Sequence, residues 1–391
     1  MIRDVAVGWV ERALDIVERQ RPELADDYLE VPLEAYTSES VFARDRELFE
    51  TSPLALLASS EIADPYDYHV RAAVGRSLLL TRDGDGRAHA FRNVCRHRAA
   101  EPARGCGNAR AFVCPYHGWS YDAQGRLTGM PLRDRFSDLD LASRGLVELP
   151  VEERHGFVWV VLRPGHPIDV AAHLGALDAE IASLGCERMT YLASLAAEPL
   201  ATSWKSVTEG LLEGLHVPFV HAGTFATNPQ ATDPDLGFFE AVGAHVRWVL
   251  PMFGAADVAR IRATPKGQWK PDELVACVYW VSPGLLLAHE YYGLIYADLS
   301  PGDRPLESVF RYGWLTPVTE PPPGLPSPQA MAERAAVAVR QDAPVWEGCG
   351  RGLRHGAHER VLIGRNEPGL QRMHASIARQ TGYRGLAKVR G

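Results

Sequence analysis

The 391-residue chain has no run rich in lysine and arginine, and its 41 basic residues are outnumbered by 49 acidic ones, giving a formal net charge of −8. Phosphate backbones are held by concentrated positive charge, so this balance excludes nucleic acid as a partner. Long apolar runs are missing too. The first twenty residues, MIRDVAVGWVERALDIVERQ, interleave Arg, Asp and Glu with apolar residues. That pattern suits neither a secretory signal nor a membrane span and reads as an amphipathic helix. Cysteine is scarce. Six residues, at 95, 106, 114, 186, 277 and 349, are too few for a disulfide framework in a chain this long and point to a reducing, cytoplasmic setting. A glycine-rich dinucleotide fingerprint is also lacking, so a Rossmann-type nucleotide site is not expected.

What is present is an ordinary globular composition, 46% hydrophobic and 23% charged, in a chain longer than the roughly 100 to 200 residues of one domain. From about 45 to 165, short apolar runs (77–81, 156–162) alternate with DGDG, AQG and RPGHP. This predicts an all-β unit, with a hairpin turn at 83–86. Beyond Pro164 the pattern is mixed. Helices are expected over 167–185 and 203–216, and strands over 277–281 and 284–299. A rigid Pro-rich connection at 319–328 then leads into an Ala-rich helix at 329–342.

Chemistry concentrates in NVCRHRAAEPARGCGNARAFVCPYHGWSYD, residues 93–122, where Cys95-x-His97 and Cys114-x-x-His117 stand sixteen residues apart. Structural zinc is usually held by Cys–Cys and His–His pairs, and two mixed pairs are an unusual way to build such a site. A two-iron cluster with two Cys on one iron and two His on the other takes one ligand of each kind from each loop. Pro115 and Gly118 are suited to bend the second loop, Tyr116, Trp119 and Tyr121 to shield the cluster, and Ser120 to donate toward its sulfurs. Cys106 has no His companion and is read as a plain cysteine. The segment resembles the Rieske iron–sulfur motif, and the domain around it the Rieske domain of the non-heme iron oxygenases.

A second constellation lies in TSWKSVTEGLLEGLHVPFVH, residues 202–221. On a helix from 204 to 216, Glu209, Glu213 and His216 would share one face. His221 lies five residues, about 500°, further on and cannot join that face by helical geometry. Pro218 biases Val217 away from the helical region and offers a turn that brings His221 back. Two imidazoles and one carboxylate make the facial triad of non-heme Fe(II), and either Glu209 or Glu213 is placed to supply the carboxylate.

The resemblance to the ring-hydroxylating oxygenase alpha subunits extends over nearly the whole chain and implies a more specific assignment. By that likeness His216 and His221 are iron ligands and Asp342 is the distant third, with Glu347 as runner-up. Glu213 is then the acidic bridge to a neighbouring subunit's cluster. Gly210, Glu213 and Leu215 depart from the Asn, Asp and Tyr common in the family. The implied fold is α+β, a Rieske domain (45–165) inserted into a helix-grip catalytic domain (1–44 and 166–391) with a curved antiparallel sheet. The implied cofactors are a [2Fe–2S] Rieske cluster and mononuclear Fe(II).

The implied activity is that of a terminal oxygenase. It would take electrons from NAD(P)H through a separate reductase, with or without a ferredoxin, and hydroxylate, dihydroxylate or demethylate a small substrate. Aromatic or alicyclic compounds are favoured, with quaternary amines open. A homotrimer is implied as well. Leu212, Phe219, Phe225, Trp248, Phe253 and Trp280 are apolar candidates for the pocket, and His155, His289 and His374 are assigned no role. Two other classes stand beside this one: a Rieske electron carrier with an inactive helix-grip domain, and a helix-grip binding module with vestigial metal motifs.

Overall fold

The apolar stripe at Ala6, Trp9, Val10, Ala13, Leu14 and Val17 recurs at three- and four-residue intervals, and all six residues are buried on the Arg3–Arg19 helix. In the computed structural model, which describes residues 2–136, 138–223, 236–290, 292–317, 320–321 and 323–390, the chain forms two compact units. One comprises Met1–Leu48, Leu174–Gly185 and Leu192–Gly391. The other comprises Phe49–His173 and Cys186–Tyr191.

The second unit is built almost entirely of short strands. A five-stranded sheet includes Asp67–Ala73, Arg76–Arg82 and Ala88–Arg92, and the expected turn at 83–86 joins the last two. Asp83 earns that position chemically, because its carboxylate accepts from the amides of Asp85 and Arg87 and from His89 and Gln124. A separate three-stranded sheet, Ala111–Val113, Ser120–Asp122 and Leu127–Gly129, carries the loop from Cys114 to Trp119.

The first unit holds a seven-stranded sheet. Its order runs from Thr190–Leu200 through Ser308–Thr316, Gly293–Pro301, Leu285–Glu290, Val275–Val281 and His245–Pro251 to Phe238–Val242. The pairs from Ser308–Thr316 onward are antiparallel. The single strand expected over 284–299 is in fact a hairpin, with Glu290 paired to Gly293. Sixteen extended residues would span about 50 Å, well beyond ordinary strand length, so the chain doubles back.

The Pro328–His355 helix packs along the Ser308–Thr316 strand, burying Met331, Ala332, Ala335, Ala336 and Val339. It runs thirteen residues past the expected end at 342 because Pro344 does not stop it. Proline there forfeits the amide bond to the Arg340 carbonyl, but both residues face solvent, and Trp346, Gly350 and Leu353 are buried beyond it. No helix among the described residues is long and apolar enough to cross a membrane.

Candidate metal centres

The two cysteine loops of the smaller unit are built on one plan. The Cys95 amide donates to the Ala100 carbonyl at 2.8 Å and the Cys114 amide to the Trp119 carbonyl at 2.8 Å. In turn, Ala99 and Gly118 donate back to the Cys95 and Cys114 carbonyls at 3.1 and 3.0 Å. Each of these return donors has a left-handed backbone, with φ of 61° at Ala99 and 72° at Gly118. At Gly118 a side chain would also press on Pro131, whose Cγ is 3.0 Å from an ideal Cβ. Asn93, fully buried, staples the first loop by donating to Ser77 Oγ and the Ala103 carbonyl and accepting from the Ala103 amide.

Cys95 and Cys114 are each 2% exposed. The His97 and His117 rings lie 4.5 Å apart between centroids, and the Nδ1 atom of each is buried without a hydrogen-bond partner. Two orphaned imidazole nitrogens beside two buried thiols are costly unless something ligates them, and this donor set fits a two-iron cluster with Cys and His ligands. Partial desolvation, then the nearby His97 and Arg98, lower the His117 pKa, which favours the neutral ring a metal requires.

The surroundings differ from expectation in two respects. The donor toward sulfur is Tyr121, whose hydroxyl is 3.2 Å from Cys95 Sγ and also accepts from the Arg96 amide at 3.0 Å. Ser120 instead bonds the Gly118 carbonyl, because alternation along its strand turns its side chain away from the one Tyr121 occupies. Tyr116 is 53% exposed rather than a shield; it stacks on His117, with Arg98 over its outer face. Trp119 does cover His97, stacked at 4.9 Å, and Phe136, which sequence patterning does not single out, meets the same ring edge-on. Cys106 lies exposed at a strand edge, while burial pushes the Cys186 and Cys277 thiols up to about 12 and leaves them inert.

In the larger unit the expected helix over 204–216 ends early. Ser203 caps its start, and the helical residues are Trp204–Leu211. The Glu213 carboxylate takes the amides of Leu215 and His216, which a continuing helix would have given to the Leu211 and Leu212 carbonyls, so the side chain outcompetes the helix for its own backbone. A second, single-turn helix, Val217–Val220, follows, with Pro218 in its first turn, His216 at its N-cap and His221 at its C-cap. Pro218 thus begins a helix instead of breaking one, a position where its missing amide costs nothing.

This turn sets the two rings 5.2 Å apart. His221 Nε2 is 3.1 Å and His216 Nε2 3.7 Å from Asp342 Oδ1, and one donor atom from each of the three residues lies within 4.8 Å of the others. Their remaining nitrogens are also engaged, His216 Nδ1 by Glu213 and His221 Nδ1 by Gln341 Oε1 at 2.8 Å. Burial disfavours a charge on His221, yet its bonds to Asp342 and Gln341 prevail and hold its pKa above the ordinary value. Two imidazoles and a carboxylate converging with open space beside them fit a ferrous ion and leave positions for further ligands.

Glu209 is not part of this cluster. Its Oε1 accepts from Tyr36 and His374, each at 2.7 Å. Glu347 lies near the Ala201 amide, 3.5 Å away, five residues along the helix from Asp342 and so on another face. A cavity of about 420 Å³ adjoins the cluster, lined by Glu209, Glu213, His216, Asp342, Tyr36 and Trp346 among others. Gly210 makes room for Trp346, since an ideal Cβ would sit 2.3 Å from its indole nitrogen. Among the described residues, none of the apolar candidates Leu212, Phe219, Trp248, Phe253 and Trp280 lines this space. Leu212, Trp248, Phe253 and Trp280 are buried in packing, Phe219 is 85% exposed, and Phe225 lies outside the described residues.

Together the fold and these donor sets define a chain of the Rieske and mononuclear-iron class. Comparison with known families agrees: the Rieske [2Fe-2S] domain profile matches residues 52–147, and the ring-hydroxylating alpha subunit catalytic-domain profile matches 186–382. The chain belongs to the ring-hydroxylating alpha subunit family.

Among its relatives, the carnitine monooxygenase oxygenase subunit of Escherichia coli K12 is 30% identical over 197 residues, 49% of this chain and 52% of that protein. The anthranilate 1,2-dioxygenase large subunit of Acinetobacter baylyi is 31% identical over 210 residues, 52% and 44% of the two chains. The match thus spans about half the length of these curated relatives. A quaternary ammonium Rieske monooxygenase solved with L-carnitine superposes with a TM-score of 0.74 at 22% identity, covering 91% of this chain and 96% of that one. Naphthalene 1,2-dioxygenase from Rhodococcus sp. superposes at 0.72 with 17% identity, covering 97% and 99%. At such identities the structures speak to the fold alone.

Proposed function

We propose that this chain is the terminal oxygenase of a multicomponent Rieske system, inserting oxygen from O2 into a small organic substrate by hydroxylation, dihydroxylation or demethylation. The observation that carries this reading is the convergence of His216, His221 and Asp342 beside a cavity in a chain that also gathers Cys95, His97, Cys114 and His117. An electron carrier would need only the second group. In this reading the four Rieske residues hold the [2Fe–2S] cluster and the three others hold Fe(II). The cluster supplies single electrons and the iron the means to activate dioxygen.

The chain's own residues do the rest. Glu213, engaging His216 Nδ1, leaves Nε2 turned toward Asp342, and we assign it the role of bridge to a neighbouring subunit's cluster. Electrons come from NAD(P)H through a separate reductase, with or without a ferredoxin. The assembly is a cytoplasmic homotrimer in which each Rieske part, 45–165, serves the iron of the next subunit, held by 1–44 and 166–391. A relative of this fold was described in terms of inter-subunit electron transfer.

The cavity also suggests where to look for the substrate. Among the described residues its lining includes Glu209, Glu213 and Glu367 with Tyr36 and Trp346, and no Lys or Arg. Carboxylates and aromatic faces suit a cation, and carnitine and choline monooxygenases stand among the relatives. Quaternary ammonium compounds are therefore screened first, then aromatic and alicyclic acids.

The test is iron content and EPR of the anaerobically purified, dithionite-reduced protein, with nitric oxide added. A Rieske signal, a high-spin ferrous-nitrosyl signal and about three irons per chain support the oxygenase. About two irons and no nitrosyl signal after ferrous reconstitution would leave an electron carrier and overturn the proposal.

A further inference from the structure

We propose that Gln341 is a positioning residue that fixes the tautomer of His221, so that the two imidazoles of the iron site are backed by unlike partners. The inference rests on the reading of His216, His221 and Asp342 as iron ligands. It goes beyond that reading in assigning a role to a residue that is not a ligand.

An imidazole binds metal only through the nitrogen that carries a lone pair, and a hydrogen bond at the other nitrogen decides which one that is. Gln341 Oε1 lies 2.8 Å from His221 Nδ1 and can only accept, so the proton resides on Nδ1. In the neutral ring Nε2 is then the nitrogen left for a metal, on the side where Asp342 Oδ1 lies 3.1 Å away. Gln341 and Asp342 are consecutive residues of the Pro328–His355 helix. One rigid element therefore holds both nitrogens of the ring, one as an acceptor and the other as a fellow ligand.

Burial makes the role hard to replace. The His221 side chain is 3% exposed, against 23% for His216, so solvent cannot readily stand in for the amide oxygen. The partners also differ in charge. His216 Nδ1 meets the carboxylate of Glu213, which draws on the proton and makes the opposite nitrogen a stronger donor, whereas a neutral amide orients His221 without that push. Among the described residues, the site thus has one electron-rich and one ordinary imidazole.

The test compares Gln341→Leu, Gln341→Met and Gln341→Glu as full-length proteins. Ferrous affinity is measured by chelator competition and the ferrous-nitrosyl EPR line shape is recorded, with the Rieske signal as a control for folding. The Leu and Met variants, which lack an acceptor, should bind Fe(II) roughly 10- to 100-fold more weakly with the Rieske signal unchanged. The Glu variant keeps the acceptor and should recover most of the affinity, with a nitrosyl line shape moved by the second carboxylate.

Native affinity and line shape in Leu and Met would overturn the proposal, as would an equal loss in all three, which marks a steric role. Loss of the Rieske signal in Leu alone leaves the decision to Met and Glu. A wild-type protein that forms the Rieske cluster but binds no Fe(II) sinks the oxygenase reading and this one with it, and is told apart because no variant is involved.

Discussion

His374 and Glu209 meet at 2.7 Å between Nε2 and Oε1, although 165 residues separate them in the chain. The same carboxylate oxygen takes the Tyr36 hydroxyl, so one acid ties the Trp204–Leu211 helix to two distant segments. Glu209→Leu strands two buried partners, each costing roughly 1–3 kcal/mol. A lower Tm with an undiminished ferrous-nitrosyl signal is the expected result. Loss of that signal in a folded protein would return Glu209 to the list of ligands.

Glu213→Gln keeps an acceptor near His216 but removes the charge. Both metal centres should assemble, as iron content and EPR report, while coupled turnover falls by about tenfold or more. Turnover equal to the native protein would remove the bridge assignment.

Tyr121→Phe deletes the hydroxyl that reaches Cys95 Sγ. A hydrogen bond to a cluster sulfur favours the reduced, more negative state, so its loss should lower the Rieske potential by an amount on the order of tens of millivolts. Redox titration followed by EPR reads the shift, and a rise would contradict the argument.

Lys205 and Asp45 form a buried ion pair, their side chains 3% and 4% exposed. Burial drives the Lys205 pKa down and the Asp45 pKa up despite their mutual attraction. Both shifts mean the charged forms are held at a cost. Lys205→Met alone should therefore destabilise by about 3–5 kcal/mol, whereas adding Asp45→Leu should recover most of the loss. Denaturant titration of the two variants separates these outcomes, and a double variant as unstable as the single one would count against the argument.

The raised pKa of His221 has a sign that iron binding can read. Raising the value favours the protonated ring, so protons begin to displace a metal at a higher pH than the ordinary ~6.5 would set. Ferrous affinity should hold at alkaline pH and fall as pH descends through that pKa. A flat affinity profile between about pH 6 and 8 would contradict it.

What the sequence made legible was chemistry that is local along the chain. Cys95, His97, Cys114 and His117 announce themselves because each pair fits in one short loop, and the Arg3–Arg19 helix because its stripe repeats. Asp342 could be reached only by likeness to a family, since nothing near it in sequence marks a ligand. The Trp204–Leu211 boundary escaped because propensity does not register a side chain such as Glu213 capturing its neighbours' amides. Tyr36, His374, Gln341 and Trp346 escaped for a different reason. Their significance lies in partners more than a hundred residues away, and no period or spacing encodes that.

The single helical turn of Val217–Val220 also works as a ruler. Each residue added to or taken from it would swing His221 by about 100° around the local axis, away from Asp342, while every donor remained in the sequence. Substitution within the turn is far cheaper, since none of its residues is buried. A descendant of this chain could rewrite those four letters and keep its iron, yet lose it to one inserted codon.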